Sequence, residues 1–137
     1  MARDKIHGAV KNALIKDGWQ ITHDPYTLKY EDVTVYVDLA AQKLFAAEKD
    51  GRKIAVEIKS FLSRSGIHDF ERALGQYVLY SMYLDEKEPD RVLYLAVSNF
   101  TYKELFSRKG IQLAVEKGRV RLIVVHLKEE EVIEWTN

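Results

Sequence analysis

The 137-residue sequence has no cysteine and only two prolines, and its positive and negative charges cancel. Without cysteine the chain can form neither disulfides nor thiolate metal sites, which fits a reducing compartment. Its 21 basic residues balance 21 acidic residues, so bulk positive charge cannot drive binding to nucleic acid. A local basic face, or binding that is assisted by a metal ion or a partner, stays open.

Long apolar runs are also missing from the sequence. No segment is apolar over the roughly 20 residues that a membrane-spanning helix needs. The N-terminus, MARDKIHGAV, lacks the apolar core of a signal peptide. The sequence therefore predicts a cytoplasmic protein without membrane contact. Its length predicts one domain, residues 1–137, with a core of its own.

Hydrophobic periodicity predicts an α/β domain. Helical spacing predicts three helices, at 3–17, 67–84 and 101–117, the last with a break at Gly110. Alternation or short apolar runs predict strands at 19–21, 26–30, 33–39, 92–97 and 120–125. Asp50-Gly51 predicts a two-residue hairpin that joins 44–47 to 53–61, and the charged C-terminal LKEEEVIEWTN is expected to be a peripheral tail. The order α-β-β-β-α-β-α-β predicts a mixed β-sheet flanked by helices.

The stretch AVEIKSF, residues 55–61, places a carboxylate and an ammonium two residues apart in a predicted strand. The same spacing occurs in the charged turn Asp85-Glu86-Lys87, so spacing alone means little. Alternation puts Glu57 and Lys59 on one face of a sheet whose two faces are both expected to be covered. A charge there must be paired, bind a ligand or lie at the end of the sheet. A simple ion pair at a half-exposed edge is the plain alternative.

Asp38 supplies a second carboxylate, on the polar face of strand 33–39. Carboxylates beside a lysine suit phosphodiester hydrolysis, because they hold Mg²⁺ and the lysine can orient a water or add charge. The predicted hairpin sets Glu57 opposite Leu44, and a straight strand would carry Asp38 about 20 Å past Leu44. The segment 40–43 is therefore expected to bend or bulge and bring Asp38 back toward Glu57.

Gln76 and Tyr80 lie one turn apart on the second predicted helix, beside its core stripe. Two amphipathic residues at a helix boundary explain this pair as well as a functional role does. In the functional role, Gln76 reaches the metal-site groups or DNA and Tyr80 packs behind it. Other sites are less favoured, since the four histidines lack metal-binding spacing and no glycine-rich phosphate loop or serine-hydrolase elbow is present.

Asp38, Glu57-Ile58-Lys59 and Gln76-x-x-x-Tyr80, in this order, resemble the PD-(D/E)XK nuclease superfamily. The last element is similar to the RecB-like branch of that group. The resemblance implies a restriction-endonuclease-like fold over the whole chain and DNA cleavage that depends on Mg²⁺ (or Mn²⁺). It also implies roles for the site residues: Asp38 and Glu57 as metal ligands, and Lys59, Gln76 and Tyr80 as catalytic residues.

The whole chain more closely resembles the XisH family, which is named for fdxN-element excision controlling factors of cyanobacteria. The phrases that carry this resemblance are DGW at 17–19, THDP at 22–25, AAEK at 46–49 and IAVEIKSF at 54–61. The family implies an accessory factor in programmed excision of a DNA element. Its expected partners are DNA, a small XisI-like companion protein and a site-specific recombinase. A homo-oligomer stays open, and so does a non-catalytic DNA- or protein-binding role.

Overall fold

A computed structural model describes residues 2–43, 51–61 and 66–136, with side chains from Lys5 onward. The predicted α/β class and order of elements are confirmed, with additional strands. In chain order the elements are α1 (Ala2–Lys16), β1 (Gln20–His23), β2 (Tyr26–Tyr30), β3 (Val33–Val37), β4 (Leu39–Lys43), β5 (Arg52–Ile58), α2 (Gly66–Lys87), β6 (Arg91–Ser98), α3 (Asn99–Glu104), α4 (Lys109–Lys117), β7 (Leu122–His126) and β8 (Glu131–Trp135). Within the described ranges, no helix has the length and apolar character to cross a bilayer.

Six strands form one mixed sheet in the order β1-β4-β5-β6-β7-β8, and β2 with β3 forms a separate antiparallel ribbon. The central strands β5, β6 and β7 are parallel, whereas the outer pairs are antiparallel. Parallel neighbours need a crossover connection, and α2 provides it between β5 and β6. The carboxyl ends of β5 and β6 therefore meet at the same edge of the sheet.

Two apolar cores cover the two faces of the sheet. Along β5, Ile54 and Val56 pack into the core on the α1 face, and Ala55 packs into the core on the α2 face. This alternation is the ordinary two-residue period of a strand. It leaves Glu57 on the α2 face, where it is only 6% exposed. The expectation that both faces are covered around Glu57 is confirmed.

A glycine at the end of α1 determines where the helix stops and β1 begins. Gly18 has φ of +93°, a conformation that an L side chain rarely adopts. Its N–H donates to the Ile15 carbonyl, and the N–H of Trp19 donates to the Leu14 carbonyl, both at 3.0 Å. These two bonds form a Schellman motif, which ends the helix and turns the chain into β1.

The predicted strand 33–39 consists of two strands that are separated by a bend at Asp38. β3 pairs with β2 in the ribbon, and β4 pairs with β5 in the main sheet. The alternation of 33–39 is continuous in sequence, but a continuous period cannot reveal that the partner strand changes. Because the two strands belong to different sheets, the chain turns at Asp38.

The register predicted for the hairpin before β5 is wrong. Lys43 pairs with Arg52 and Leu39 pairs with Val56, so the strand register places Asp38, and not Leu44, opposite Glu57. This register does not fit a two-residue turn at Asp50-Gly51, which would set Lys49 opposite Arg52. Residues 44–50, which include the predicted strand 44–47, lie outside the described residues. The bend expected in 40–43 is also wrong, because these residues belong to the strand that pairs with β5.

The third predicted helix is two helices, and the break is not at Gly110. α3 ends at Glu104 and α4 begins at Lys109, so Gly110 lies within the first turn of α4. The start of α3 is fixed by Ser98, whose hydroxyl accepts a hydrogen bond from the Thr101 N–H at 3.1 Å. This side-chain cap is a local signal for a helix that begins at Asn99.

The charged C-terminal segment is not a peripheral tail, because it contains the edge strand β8. β8 runs antiparallel to β7. Trp135 packs against Trp19 at 5.6 Å and against Tyr94 at 5.0 Å between ring centroids. The four glutamates of the segment mask a strand whose partly buried residues, Val132 and Trp135, join the core on the α1 face.

Candidate functional site

Asp38 and Glu57 meet where β4 begins and β5 ends. The N–H of Asp38 donates to Oε1 of Glu57 at 3.3 Å, and the N–H of Ile58 donates to Oδ2 of Asp38 at 2.8 Å. Each carboxylate therefore accepts a backbone hydrogen bond at or next to the other acid. The β4–β5 register and the bend at Asp38 together create this arrangement.

Lys59 completes the charged cluster immediately after β5. Its Nζ lies 3.3 Å from Oε2 of Glu57, and the exposed fractions of the two side chains are 27% and 8%. The backbone N–H of Lys59 donates to the Ala96 carbonyl, which anchors the residue to β6. An ion pair is also what the plain structural alternative requires, so this contact alone does not identify a functional site.

Burial raises the pKa of Glu57 to about 7, and the negative charge of Asp38 adds to the rise. Lys59 and the N–H of Asp38 act in the opposite direction but do not offset it. The pKa of Tyr80 is raised by burial and by the same two carboxylates. Like charges that are brought together in a partly desolvated site favour the uptake of a positive ion or a proton.

A pocket of about 380 Å³ contains the cluster, and all five predicted site residues line it. Asp38, Glu57 and Lys59 come from the sheet, and Gln76 and Tyr80 come from the α2 side, where Tyr80 is 7% exposed. The other lining residues, which the sequence reasoning missed, are Ile6, Tyr36, Ile58 and Ser60. Tyr36 carried a usable signal, because it is an aromatic residue two positions before Asp38 on the polar face of the predicted strand.

Gln76 gives support for a bound ligand that the Glu57–Lys59 ion pair does not give. Its Oε1 is buried and has no hydrogen-bond partner among the residues that the structure describes. A buried polar atom without a partner costs about 1–3 kcal/mol, so its presence in a pocket points to a ligand. An amide oxygen beside two carboxylates is a hard-oxygen donor set.

This donor set fits a magnesium-like ion. Mg²⁺ commonly uses one or two carboxylates and keeps several waters, so a cage of protein ligands is not needed. Within residues 5–43, 51–61 and 66–136, no group of three histidine, cysteine or acidic side chains is close enough to bind a metal. Asp38 and Glu57 could hold such an ion together with the amide oxygen of Gln76, which lines the same pocket.

The fold and the pocket together define an α/β protein with paired carboxylates and a lysine at the end of a mixed sheet. The chain belongs to the XisH family, since the family model described as XisH protein matches residues 1–133. The resemblance predicted from the sequence phrases is thus confirmed. A comparison with curated proteins returns no match.

Two crystal structures are similar to this chain over nearly its whole length. An XisH family protein from Nostoc punctiforme PCC 73102 is 40% identical, with 98% of this chain and 100% of that chain covered and a TM-score of 0.90. An fdxN element excision controlling factor protein from Anabaena variabilis is 43% identical, with the same coverage and a TM-score of 0.88. The chain therefore belongs to a family that contains excision controlling factors.

Proposed function

We propose that this protein controls the excision of a DNA element and that its carboxylate pocket cleaves or nicks DNA with Mg²⁺ (or Mn²⁺). The observation that supports this proposal is the meeting of Asp38 and Glu57 in one pocket with Lys59 and with the Gln76 oxygen, which has no hydrogen-bond partner among the described residues. In this proposal Asp38, Glu57 and Lys59 have the roles that the PD-(D/E)XK resemblance implies.

Asp38, Glu57 and Gln76 would hold the ion. When bound, the ion supplies positive charge that stabilises a phosphoryl group under attack. The mutual repulsion of the two carboxylates, together with the burial that raises the pKa of Glu57, favours the binding of such a charge.

Lys59 would contact the substrate, whereas Tyr80 would support the pocket from within the protein. The Lys59 ammonium is partly exposed and can orient a water molecule or donate a hydrogen bond to a phosphate oxygen. Tyr80 is nearly fully buried one turn from Gln76, and in this proposal it would pack behind the amide and limit its movement. Fixing a ligand in this way keeps reacting groups in a productive geometry.

Cleavage of a supercoiled plasmid tests the proposal. With Mg²⁺ or Mn²⁺, wild-type protein is expected to produce nicked or linear DNA, and Glu57→Ala and Lys59→Ala are each expected to lower the rate on the order of 100-fold. Glu86→Ala and Lys87→Ala are matched controls, because they remove the same residue types from the exposed end of α2. Equal rates for the pocket variants and the controls would contradict the proposal.

The rival function is a non-catalytic DNA- or protein-binding module in site-specific excision. It is favoured by the Glu57–Lys59 ion pair and by the backbone bond to Asp38, which satisfy the charges without a substrate. DNA binding without cleavage by any version of the protein would support this function. The XisI-like companion, the recombinase and the cytoplasmic location stay predictions, and co-purification with the companion would test the first of them.

A further inference from the structure

The ribbon of β2 and β3 carries an exposed aromatic side chain to the mouth of the carboxylate pocket. Tyr36 lies on β3, two residues before Asp38, and it is 61% exposed although it lines the pocket. Within the part of the chain that the structure describes, its ring stacks on no other ring and its hydroxyl forms no hydrogen bond. Because most of the side chain stays in water, it adds little to the burial that stabilises the fold.

The ribbon that carries Tyr36 packs against α2 along its length. Its inward residues join the core on the α2 face, and they are Tyr26, Leu28, Val35 and Val37. At the end of the ribbon away from the pocket, Tyr30 stacks on Tyr83 of α2 with ring centroids 5.7 Å apart. Tyr36 is therefore presented by a packed strand and not by a loop, which fixes where its ring can meet a ligand.

Along its two strands, the outward side of the ribbon has no acidic residue. Alternation places four exposed residues on this side, which are Thr27, Lys29, Thr34 and Tyr36. Tyr36 pairs with Thr27 across the ribbon, and Lys29 pairs with Thr34. An ammonium and hydroxyl groups donate hydrogen bonds to phosphate oxygens. Together with the aromatic ring, they suit a strand of nucleic acid, which has an anionic backbone and bases with flat apolar faces.

The end of β5 brings further hydrogen-bond donors to the same pocket. Lys59 and Ser60 both line it. The Ser60 carbonyl accepts a hydrogen bond from the Thr101 hydroxyl at 3.3 Å, which ties this segment to α3. A nucleotide in the pocket would thus meet an aromatic ring from the ribbon and phosphate-binding donors from the end of β5.

We propose that Tyr36 stacks on an unpaired base of the DNA strand whose phosphate enters the carboxylate pocket. This inference rests on the proposed function and names its substrate class, which is DNA with an unpaired nucleotide at the cleavage site. In an uninterrupted duplex, neighbouring base pairs cover both faces of each base. A side chain can therefore stack on a base only where the base is single-stranded, mispaired or flipped out. Every base has a flat face, so Tyr36 selects DNA structure and not DNA sequence.

Fluorescence anisotropy of labelled DNA, with Ca²⁺ in place of Mg²⁺, tests this proposal on the full chain. Two DNAs of equal length are compared, an uninterrupted duplex and a duplex with a short central run of unpaired thymidines. A denaturing gel checks that both DNAs stay intact. The wild type is expected to bind the interrupted duplex about 10-fold more tightly, as one base–aromatic stack provides. Equal affinity for the two DNAs would overturn the proposal.

Variants of Tyr36 test whether the aromatic ring causes this preference. Tyr36→Leu keeps an apolar side chain without a stacking face, and it is expected to lose about 10-fold in affinity for the interrupted duplex alone. Tyr36→Phe keeps the ring and is expected to bind as the wild type does. Phe100→Leu is the matched control, because Phe100 is 69% exposed on α3 and does not line the pocket. An unchanged affinity in Tyr36→Leu, or an equal loss for both DNAs, would overturn the proposal.

A fluorescent adenine analogue that is quenched by stacking reports the contact itself when it replaces one unpaired thymidine. Saturating wild-type protein is expected to quench it, and Tyr36→Leu is expected to leave it bright. Equal quenching by both proteins would overturn the proposal.

Cleavage of the same two DNAs with Mg²⁺ separates this inference from the proposed function. Cleavage that Glu57→Ala slows, but that Tyr36→Leu leaves unchanged on both DNAs, would overturn the stacking role alone. A wild type that neither binds nor cleaves any of these DNAs would overturn both proposals.

Discussion

Two charged clusters contact the same sheet, one around Glu88 and one around Glu57, and the pKa values of these two glutamates shift in opposite directions. Burial would raise the pKa of Glu88, but hydrogen bonds from the Tyr26 hydroxyl and Arg91, with the charge of Arg91, lower it below its ordinary value. Burial raises the pKa of Glu57 to about 7, and the charge of Asp38 adds to the rise. One acid is thus surrounded by donors, whereas the other is set beside a second acid.

The other polar side chains of the two clusters also differ in how many hydrogen-bond partners they have. In the first cluster, the Arg91 guanidinium also donates to the Ile54 carbonyl at 2.9 Å, so it links the end of α2 to β5 and β6. In the second, the oxygen of Gln76 has no partner among the described residues. We infer that the Tyr26–Glu88–Arg91 cluster stabilises the fold, while the carboxylate pocket is arranged for a ligand.

The largest expected effect is at Arg91, which is only 9% exposed. Arg91→Leu is expected to lower the free energy of unfolding on the order of 3 kcal/mol, because Glu88 and the Ile54 carbonyl both lose the hydrogen bond that Arg91 donates to them. Urea denaturation at neutral pH measures this change. Lys53→Met is the control, since the Lys53–Asp90 pair at 3.5 Å is largely exposed and contributes less than about 1 kcal/mol. Equal losses for the two variants would remove the structural role given to Arg91.

A smaller effect of opposite sign is expected at Glu57. Its pKa is raised in the folded state from 4.5 to about 7, so folding disfavours the ionised form. Stability from the protonated form is therefore complete below about pH 4.5 and is lost as the pH rises to about 7. Glu57→Gln is expected to stabilise the metal-free protein on the order of 2 kcal/mol near pH 8 and to have little effect near pH 4.

Denaturation of Glu57→Gln across this pH range checks the prediction, and Glu88→Gln provides the contrast. Because the pKa of Glu88 is lowered, its contribution is present above its ordinary pKa and is lost as the pH falls. Glu88→Gln is therefore expected to destabilise at neutral pH and to lose its effect in acid. If both variants changed stability in the same direction at neutral pH, the comparison between the clusters would fail.

The smallest expected change in stability is at Gln76. Gln76→Leu removes a buried oxygen that has no partner within the described part of the chain, so the free energy of unfolding is expected to stay within about 1 kcal/mol of wild type or to rise. Affinity for Mn²⁺ is expected to fall about 10-fold, as for other groups that tune a metal site. Calorimetric titration measures the affinity. Gln112→Leu is the control, because it removes the amide that donates to the Phe106 carbonyl at 3.1 Å and lies outside the pocket.

Hydrophobic periodicity in the sequence correctly predicted which faces of the helices and strands are buried. The alternation around Glu57 and the helical stripe of 67–84 gave the correct faces, because burial on one side produces these patterns directly. The register predicted for β5 was wrong, because Asp50-Gly51 is only a local turn signal, whereas strand pairing depends on residues that are distant in sequence. Likewise, nothing in strand 33–39 marks the change of partner at Asp38.

The candidate site was more predictable in its residues than in its geometry. The chemistry of their side chains identified Asp38, Glu57 and Lys59 as candidates. The strand register predicted from the sequence, however, placed Asp38 far from Glu57 unless residues 40–43 bent. In the structure the N–H of Asp38 is 3.3 Å from Glu57 without such a bend. That the Gln76 oxygen has no partner within the described part of the chain could not be predicted, because this depends on how α2 packs against the end of β5.

Cation binding with a count of released protons tests the central claim most directly. Calorimetry of Mn²⁺ binding in two buffers of different ionisation enthalpy gives the number of protons released for each ion bound. We expect one ion per chain, with about one proton released near pH 6 and about a tenth of a proton near pH 8, because the pKa of Glu57 is about 7. We also expect Glu57→Gln to abolish the proton release. Binding that releases no proton at either pH, or that is unchanged in Glu57→Gln, would contradict the assignment of this pocket as the cation site.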